Sequence, residues 1–317
     1  MNSFRTEIYP HKPDFDIQHQ DGIMLNGSCF SENLGNLFRR CRFNVDINSH
    51  GIIYNPESLA GAFDDLLNQK VYNEDDLIFH NGVFHSVHHH GRFSNAVSEV
   101  VLESVNSAIE SSAEFLRKSK LIFVTFGSAW IYRLKETNKV VANCHKLPGS
   151  DFSKSLMTHL DIEQRWRELF TQLFKLNDNL KVVMTVSPVR HWRDGFMENQ
   201  ISKAHLLIAA SKLTDEFRNV SYFPSYELLM DDLRDYRFYN QDMLHPNELA
   251  IEYVWKKLSD WCFDDKTKML LTKIEPLIKF IEHKPMKTDL DVHISIVERK
   301  QKEINALITQ SNKSYNQ

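Results

Sequence analysis

Apolar residues along the chain repeat in two rhythms: short unbroken runs, and stripes spaced three and four apart. Ile23-Met24-Leu25 is such a run and predicts a strand, and Leu34, Leu37 and Phe38 follow at helical spacing, with Arg39, Arg40 and Arg42 near the helix end. Phe43 to Ile47 predicts a second short strand. The loop from Asn48 to Pro56 then leads into a helix from Ser58 to Leu67. Residues 75–94 are aromatic and irregular, an insertion between helices rather than a further sheet strand. A long helix from Ala96 to Arg117 precedes Leu121 to Phe126, whose continuous apolar character marks a central strand buried on both faces. Asp161 to Phe174 and Asn199 to Phe217 predict helices on either side of another buried strand, Lys181 to Val186. Val220 to Pro224 predicts the last strand.

Strands alternating with helices indicate an α/β chain with a mostly parallel sheet covered on both faces, a three-layer α/β/α arrangement. In such sheets the ligand crevice lies at the carboxyl ends of the strands. That rule gathers Ser28, Gly51, Gly127, Arg190 and the loop holding Asp242 and His245 at one edge. After about Phe263 the pattern turns into charged helix, with an apolar stripe at Leu270, Leu271, Ile274, Leu277, Ile278 and Ile281 and another from Val292 to Ile308. Residues 1–262 are therefore expected to form the domain that carries the chemistry, and 263–317 a helical extension. The stripes of that extension serve as packing surface or, alternatively, as an oligomer contact. Residues 1–20 are polar, contain Pro10 and Pro13, and read as a loosely packed arm.

Gly27-Ser28 sits where the first strand passes into the first helix, so backbone N–H groups there have no helical partner. A hydroxyl at that corner can act as a nucleophile beside N–H groups that stabilise an oxyanion; the plainer reading is a helix cap after a glycine turn. Asp242-Met243-Leu244-His245-Pro246-Asn247 lies more than two hundred residues later. Pro246 suits the first turn of a helix from Glu248 to Leu258, which places His245 at its entrance. Asp242, three residues before, can accept a hydrogen bond from one imidazole nitrogen, leaving the other to take a proton from Ser28.

An early Gly-x-Ser-like corner with a late Asp-x-x-His-Pro resembles the layout of the SGNH (GDSL-like) hydrolases. The string Gly27-Ser28-Cys29-Phe30-Ser31 resembles the GSCFA family, a relative of that superfamily, with Ser31 where the family has Ala. The resemblance spans about residues 20–260 and implies a flavodoxin-like strand order, a serine esterase or O-acyltransferase with no cofactor, and acetyl esters on carbohydrates as the commonest substrates. Ser28, Asp242 and His245 would be its triad. The Ser28 and Gly51 backbone N–H groups would be two oxyanion donors. The third donor in that superfamily is an Asn after the central strand; here Gly127-Ser128-Ala129-Trp130 has none, so Ser128 or Asn143 is expected to replace it. A non-catalytic carbohydrate- or metabolite-binding module on the same fold is the alternative.

Cys29 is the rival nucleophile, although the helix and its neighbour Phe30 suggest a small buried hydrophobe. His85, His88, His89 and His90 cluster, but adjacent histidines diverge and no carboxylate or Cys stands at ligand spacing, so no metal site is expected. An aromatic loop lining the crevice, with His89 against substrate, is the more specific alternative to a solvated loop. Arg190 and His191 follow a sheet strand and would hold an anionic or hydroxyl-rich substrate, unless they are a plain surface pair. The composition, 42% apolar and 25% charged with a formal charge of -4, argues against a nucleic-acid surface. No run approaches a membrane span, and the first residues lack a basic start and apolar core of a Sec signal. Four scattered cysteines without C-x-x-C spacing fit free thiols in a reducing, cytoplasmic setting.

Overall fold

The computed structural model describes residues 6–283 and 290–315; the first five residues of the arm and residues 284–289 and 316–317 of the C-terminal extension lie outside the described residues. In chain order the elements are β1 (Gly22–Gly27), α1 (Cys29–Arg40), β2 (Asn44–Ile47), α2 (Pro56–Asn68), β3 (Leu77–His80), β4 (Val83–Ser86), α3 (Ser98–Lys118), β5 (Leu121–Phe126), β6 (Trp130–Leu134), β7 (Lys139–Val141), β8 (Phe152–Leu156), α4 (His159–Leu176), β9 (Lys181–Val186), α5 (Phe196–Glu216), β10 (Val220–Tyr222), a single turn α6 (Ser225–Glu227), α7 (Glu248–Cys262), α8 (Asp265–Glu282) and α9 (Leu290–Lys313).

Five strands make one parallel sheet in the order β10-β9-β5-β1-β2. Counted along the chain this is the 2-1-3-4-5 order of flavodoxin-like sheets, whose connections reverse direction between β1 and β5. Alternation along the strands divides the core in two. Met24, Ile122, Val124 and Met184 face α2, α3, α4 and α5, while Ile23, Leu25, Phe123 and Val183 face α1, α7 and α8. Phe38 is the centre of the second layer, edge-on to Phe43 and Trp255. Each fully buried side chain of this size contributes about 1.5–3 kcal/mol.

The structure departs from the sequence expectations in four places. Residues 75–94 are not irregular: β3 and β4 form an antiparallel hairpin outside the main sheet, turned by Asn81 and Gly82, both at positive φ. The stretch after β5 holds a three-stranded sheet, β7-β6-β8, that the expectations lack. The arm is tied down rather than loose, since Ile17 is buried and pairs with Cys262 and Phe263, and the Trp261 indole donates to His11 O. Pro246 precedes α7 instead of opening it. Asn247 is the cap, its Oδ1 accepting the Ala250 N–H at 3.1 Å. In the extension, Leu270, Leu271, Ile274 and Ile278 of α8 and Ile304 of α9 are buried in the same core as Phe38 and Trp255.

Candidate active site

The connections reverse between β1 and β5, so the segments leaving their carboxyl ends splay apart and open a crevice. A cavity of about 830 Å³ lies at this sheet edge, walled by segments that follow β2, β5 and β9, with Tyr54, Ser128, Trp130, Asn143, Arg190, His191 and His245 among its lining. His245 is placed by its own loop. Asp242 Oδ2 meets His245 Nδ1 at 2.6 Å, and Asp242 Oδ1 accepts the N–H groups of Leu244 and His245 at 2.9 and 3.0 Å. Those backbone N–H bonds, with the imidazole, hold the Asp242 carboxyl at about 2.

The β1–α1 corner is set by Gly27. Its φ of +145° suits glycine, and a side chain there would collide with Thr125 O. Ser28 is buried, and its Oγ accepts the Phe30 N–H at 3.3 Å as the cap of α1. Its own N–H continues the sheet ladder to Thr125 O at 3.3 Å. Cys29, the first residue of α1, is only half-buried, contrary to the inward turn expected of it, and neither it nor Ser28 lies on the cavity wall. Burial pushes its thiol up; the N–H groups of Phe30 and of Cys29 itself and the Lys203 ammonium act in the opposite direction.

Gly51 does not reach the cavity wall. Its N–H donates to Asn48 O at 2.7 Å, and its φ of +80° and tight approach to His90 mark a turn glycine. His89 is likewise a correction: it is fully buried, stacked on His50 with its Nδ1 2.8 Å from Ser86 Oγ, and takes no part in the cavity wall. His50 itself links Ser49 Oγ (3.0 Å) to Asp65 Oδ2 (3.0 Å), a buried string that pins the β2–α2 loop and lies off this cavity. Among the described residues no group of three His, Cys, Asp or Glu side chains is placed to hold a metal.

Ser128 and Asn143 both line the cavity, each partly engaged. Ser128 Oγ accepts the Trp130 N–H at 3.2 Å and lies 3.3 Å from Ser202 Oγ, and Asn143 Oδ1 accepts the His145 N–H at 2.9 Å. Arg190 and His191 also line it, and the His191 ring meets Tyr54 edge-on at 5.1 Å. Burial, then the charges of Lys203 and His245, hold His191 down at about 3, so its ring is neutral.

The sequence reading expected α5 as a helix but missed the polar residues on its core-facing stripe. Its buried stripe runs Leu206, Ala209, Ala210, Leu213, and the same spacing continued backwards gives Asn199, Ser202 and Lys203. Each of these polar residues props one strand end. Asn199 Oδ1 accepts the His191 N–H at 2.8 Å, Ser202 Oγ accepts the Ala129 N–H at 2.8 Å, and Lys203 Nζ donates to Gly127 O and Ser187 O at 2.7 and 2.6 Å. Polar residues on a core-facing stripe were the available signal.

The sequence model of the GSCFA family matches residues 22–258. Among solved structures, a Streptococcus pneumonia protein provisionally described as a platelet activating factor aligns at 13% identity and a TM-score of 0.40, over 77% of this chain and 85% of its own. A Clostridium thermocellum family 3 carbohydrate esterase aligns at 10% identity and a TM-score of 0.36, over 76% of this chain and 94% of its own. No curated protein matches the chain.

Proposed function

The chain belongs to the GSCFA family, and we propose that it is an esterase or O-acyltransferase. In this reading His245, oriented by Asp242, takes the proton of a nucleophile at the β1–α1 corner, where Ser28 and Cys29 stand side by side. The nucleophile attacks an ester carbonyl, and the acyl-enzyme passes its acyl group to water or to an alcohol. The observation that carries the reading is His245, held by Asp242, at the wall of a cavity lined by segments that follow β2, β5 and β9. Trp130, Tyr132 and Trp192 on the same wall support an O-acylated carbohydrate or another small ester as substrate, since aromatic faces suit sugar rings and acyl chains. The free cysteines suit a reducing, cytoplasmic setting.

Turnover of p-nitrophenyl acetate by the intact chain, abolished in His245→Ala, is the expected result. A second reading has a specific observation behind it. The N–H groups of Ser28 and Gly51, expected to receive an oxyanion, are both engaged within the chain. A binding module would show saturable ligand binding with no turnover and no effect of His245→Ala on hydrolysis.

A further inference from the structure

We propose that Cys29 is the nucleophile of this site and that the buried ammonium of Lys203 is the charge partner of its thiolate; the inference rests on the acyl-transfer reading above. The two corner residues differ in what already occupies them. Ser28 Oγ is buried and committed to the Phe30 N–H. The Cys29 side chain is half-buried; burial pushes its thiol up, its own N–H and that of Phe30 act in the opposite direction, and Tyr54, on the cavity wall, is near enough to feel its charge.

Lys203 supplies the independent observation. Its side chain is buried under the strand ends with no ion-paired carboxylate among the described residues; Gly127 O and Ser187 O accept two of its three ammonium hydrogens, and the Tyr226 ring centroid lies 5.7 Å from Nζ. A cation in that position is retained at a large desolvation cost unless something close by becomes negative. The acidic group that acts on it is Cys29. Both backbone partners of Lys203 lie directly past β5 and β9, so its ammonium stands at the same sheet edge as the helix end that bears the thiol.

The chemistry balances with the groups present. The thiol proton passes to His245, the sulfur attacks the ester carbonyl, an S–C bond forms, and the C–O bond breaks as His245 returns the proton to the departing alkoxide. Water or an alcohol then gives its proton to His245 and attacks the thioester. The S–C bond breaks, and the thiolate leaves against the Lys203 ammonium before regaining its proton.

The test uses the full chain. After brief reaction with p-nitrophenyl acetate and an acid quench, peptide mapping should place the acetyl group on Cys29, removable by neutral hydroxylamine. An acetyl group on Ser28 that resists hydroxylamine overturns the proposal and leaves the acyl-transfer reading standing. Absence of both acetylation and turnover overturns that reading instead. The pairing is then still decided by peptide-resolved iodoacetamide alkylation. At pH 7 Cys29 should react at least tenfold faster than Cys144, which is also half-buried. Lys203→Met, or Lys203→Gln should the first not fold, should slow Cys29 at least tenfold and move its midpoint up by a pH unit or more. Equal rates at Cys29 and Cys144 in the parent chain, or a Cys29 profile unchanged in the variant, overturns it.

Discussion

Asp242 holds His245 twice: Oδ2 meets Nδ1 at 2.6 Å, while Oδ1 accepts the backbone N–H of the same residue at 3.0 Å. Side chain and main chain of the histidine are thereby fixed by one carboxylate three residues away. With the acid ionised, Nδ1 must carry the proton, and Nε2 is the nitrogen available for proton transfer. The arrangement is local, so it forms whatever the rest of the site does.

Proton transfer by a positioned imidazole accounts for about 10²–10⁴-fold in rate. His245→Ala should lower kcat by that order, and Asp242→Asn by less, since its task is orientation. The Asp242 carboxyl lies at about 2 because backbone N–H groups favour its charged form, so its contribution should persist far into acid. The side-chain carboxyl carbon of Asp242, followed by NMR, should keep its ionised chemical shift from pH 8 down to pH 4. A shift change between pH 6 and 4 would mean an ordinary carboxyl and a looser grip.

Ser28 as cap, rather than nucleophile, makes a different prediction. Losing the Oγ bond to the Phe30 N–H should cost about 1 kcal/mol of stability, the usual loss for an N-cap Ser→Ala change. Ser28→Ala should therefore unfold at lower urea concentration while the activity per folded molecule stays within a few-fold of the parent. A thousandfold loss of kcat with an unchanged urea midpoint would return the nucleophile's role to the hydroxyl.

What could be seen in the sequence depended on range. Leu121 to Phe126 and Lys181 to Val186 were legible because strands buried on both faces show as apolar runs. Asp242-x-x-His245 was legible because its geometry is settled within four residues. The β6–β8 sheet was not, since Lys139–Val141 is three residues long and Phe152–Leu156 alternates with Ser and Lys, so their pairing with β6 is fixed only by the fold. The hairpin had a signal, Asn81-Gly82 between two apolar stretches, which the many histidines nearby obscured. The choice between Ser28 and Cys29 turns on which of two neighbours caps the helix and which is left half-buried in its first turn. Residue types alone leave that open, because both suit a nucleophile. Lys203 looks like any surface lysine until Leu206, Ala209 and Leu213 are followed back along the same face.

The cavity wall gives a prediction about binding. The Lys154 ammonium lies 4.3 Å over the Trp130 ring and is ion-paired with Asp194, which holds the indole face at the cavity. A ring contact of this kind with substrate is worth about 0.5–1.5 kcal/mol. Trp130→Ala should raise KM by roughly two- to tenfold with kcat little changed. Equal falls in kcat and kcat/KM would place the indole at the reacting atoms instead.

Lys203 gives the prediction that reaches furthest into stability. Burial holds its ammonium down to about 7, against an ordinary value of 10.5, and the charge of Cys29 acts in the opposite direction. Below pH 7 the folded and the unfolded chain both bind this proton, and the cost of the buried charge is fully present. Between about pH 7 and 10 the unfolded chain binds a proton that the folded chain has released, so stability rises with pH across that window. The rise is on the order of 4 kcal/mol, from about 1.4 kcal/mol per pH unit of displacement. Lys203→Met lacks the titrating group; its lost bonds to Gly127 O and Ser187 O displace its stability by an amount that does not depend on pH. Urea unfolding of both proteins at pH 6, 7, 8, 9 and 10 should therefore show the parent gaining on the variant from pH 7 upward and running parallel to it below. Cys29→Ala, which removes the group that raises the lysine, should move the start of that gain to lower pH. Parallel curves for parent and Lys203→Met across the whole range would show that Lys203 keeps an ordinary affinity for its proton, and with it that the strand ends leave the ammonium in contact with water.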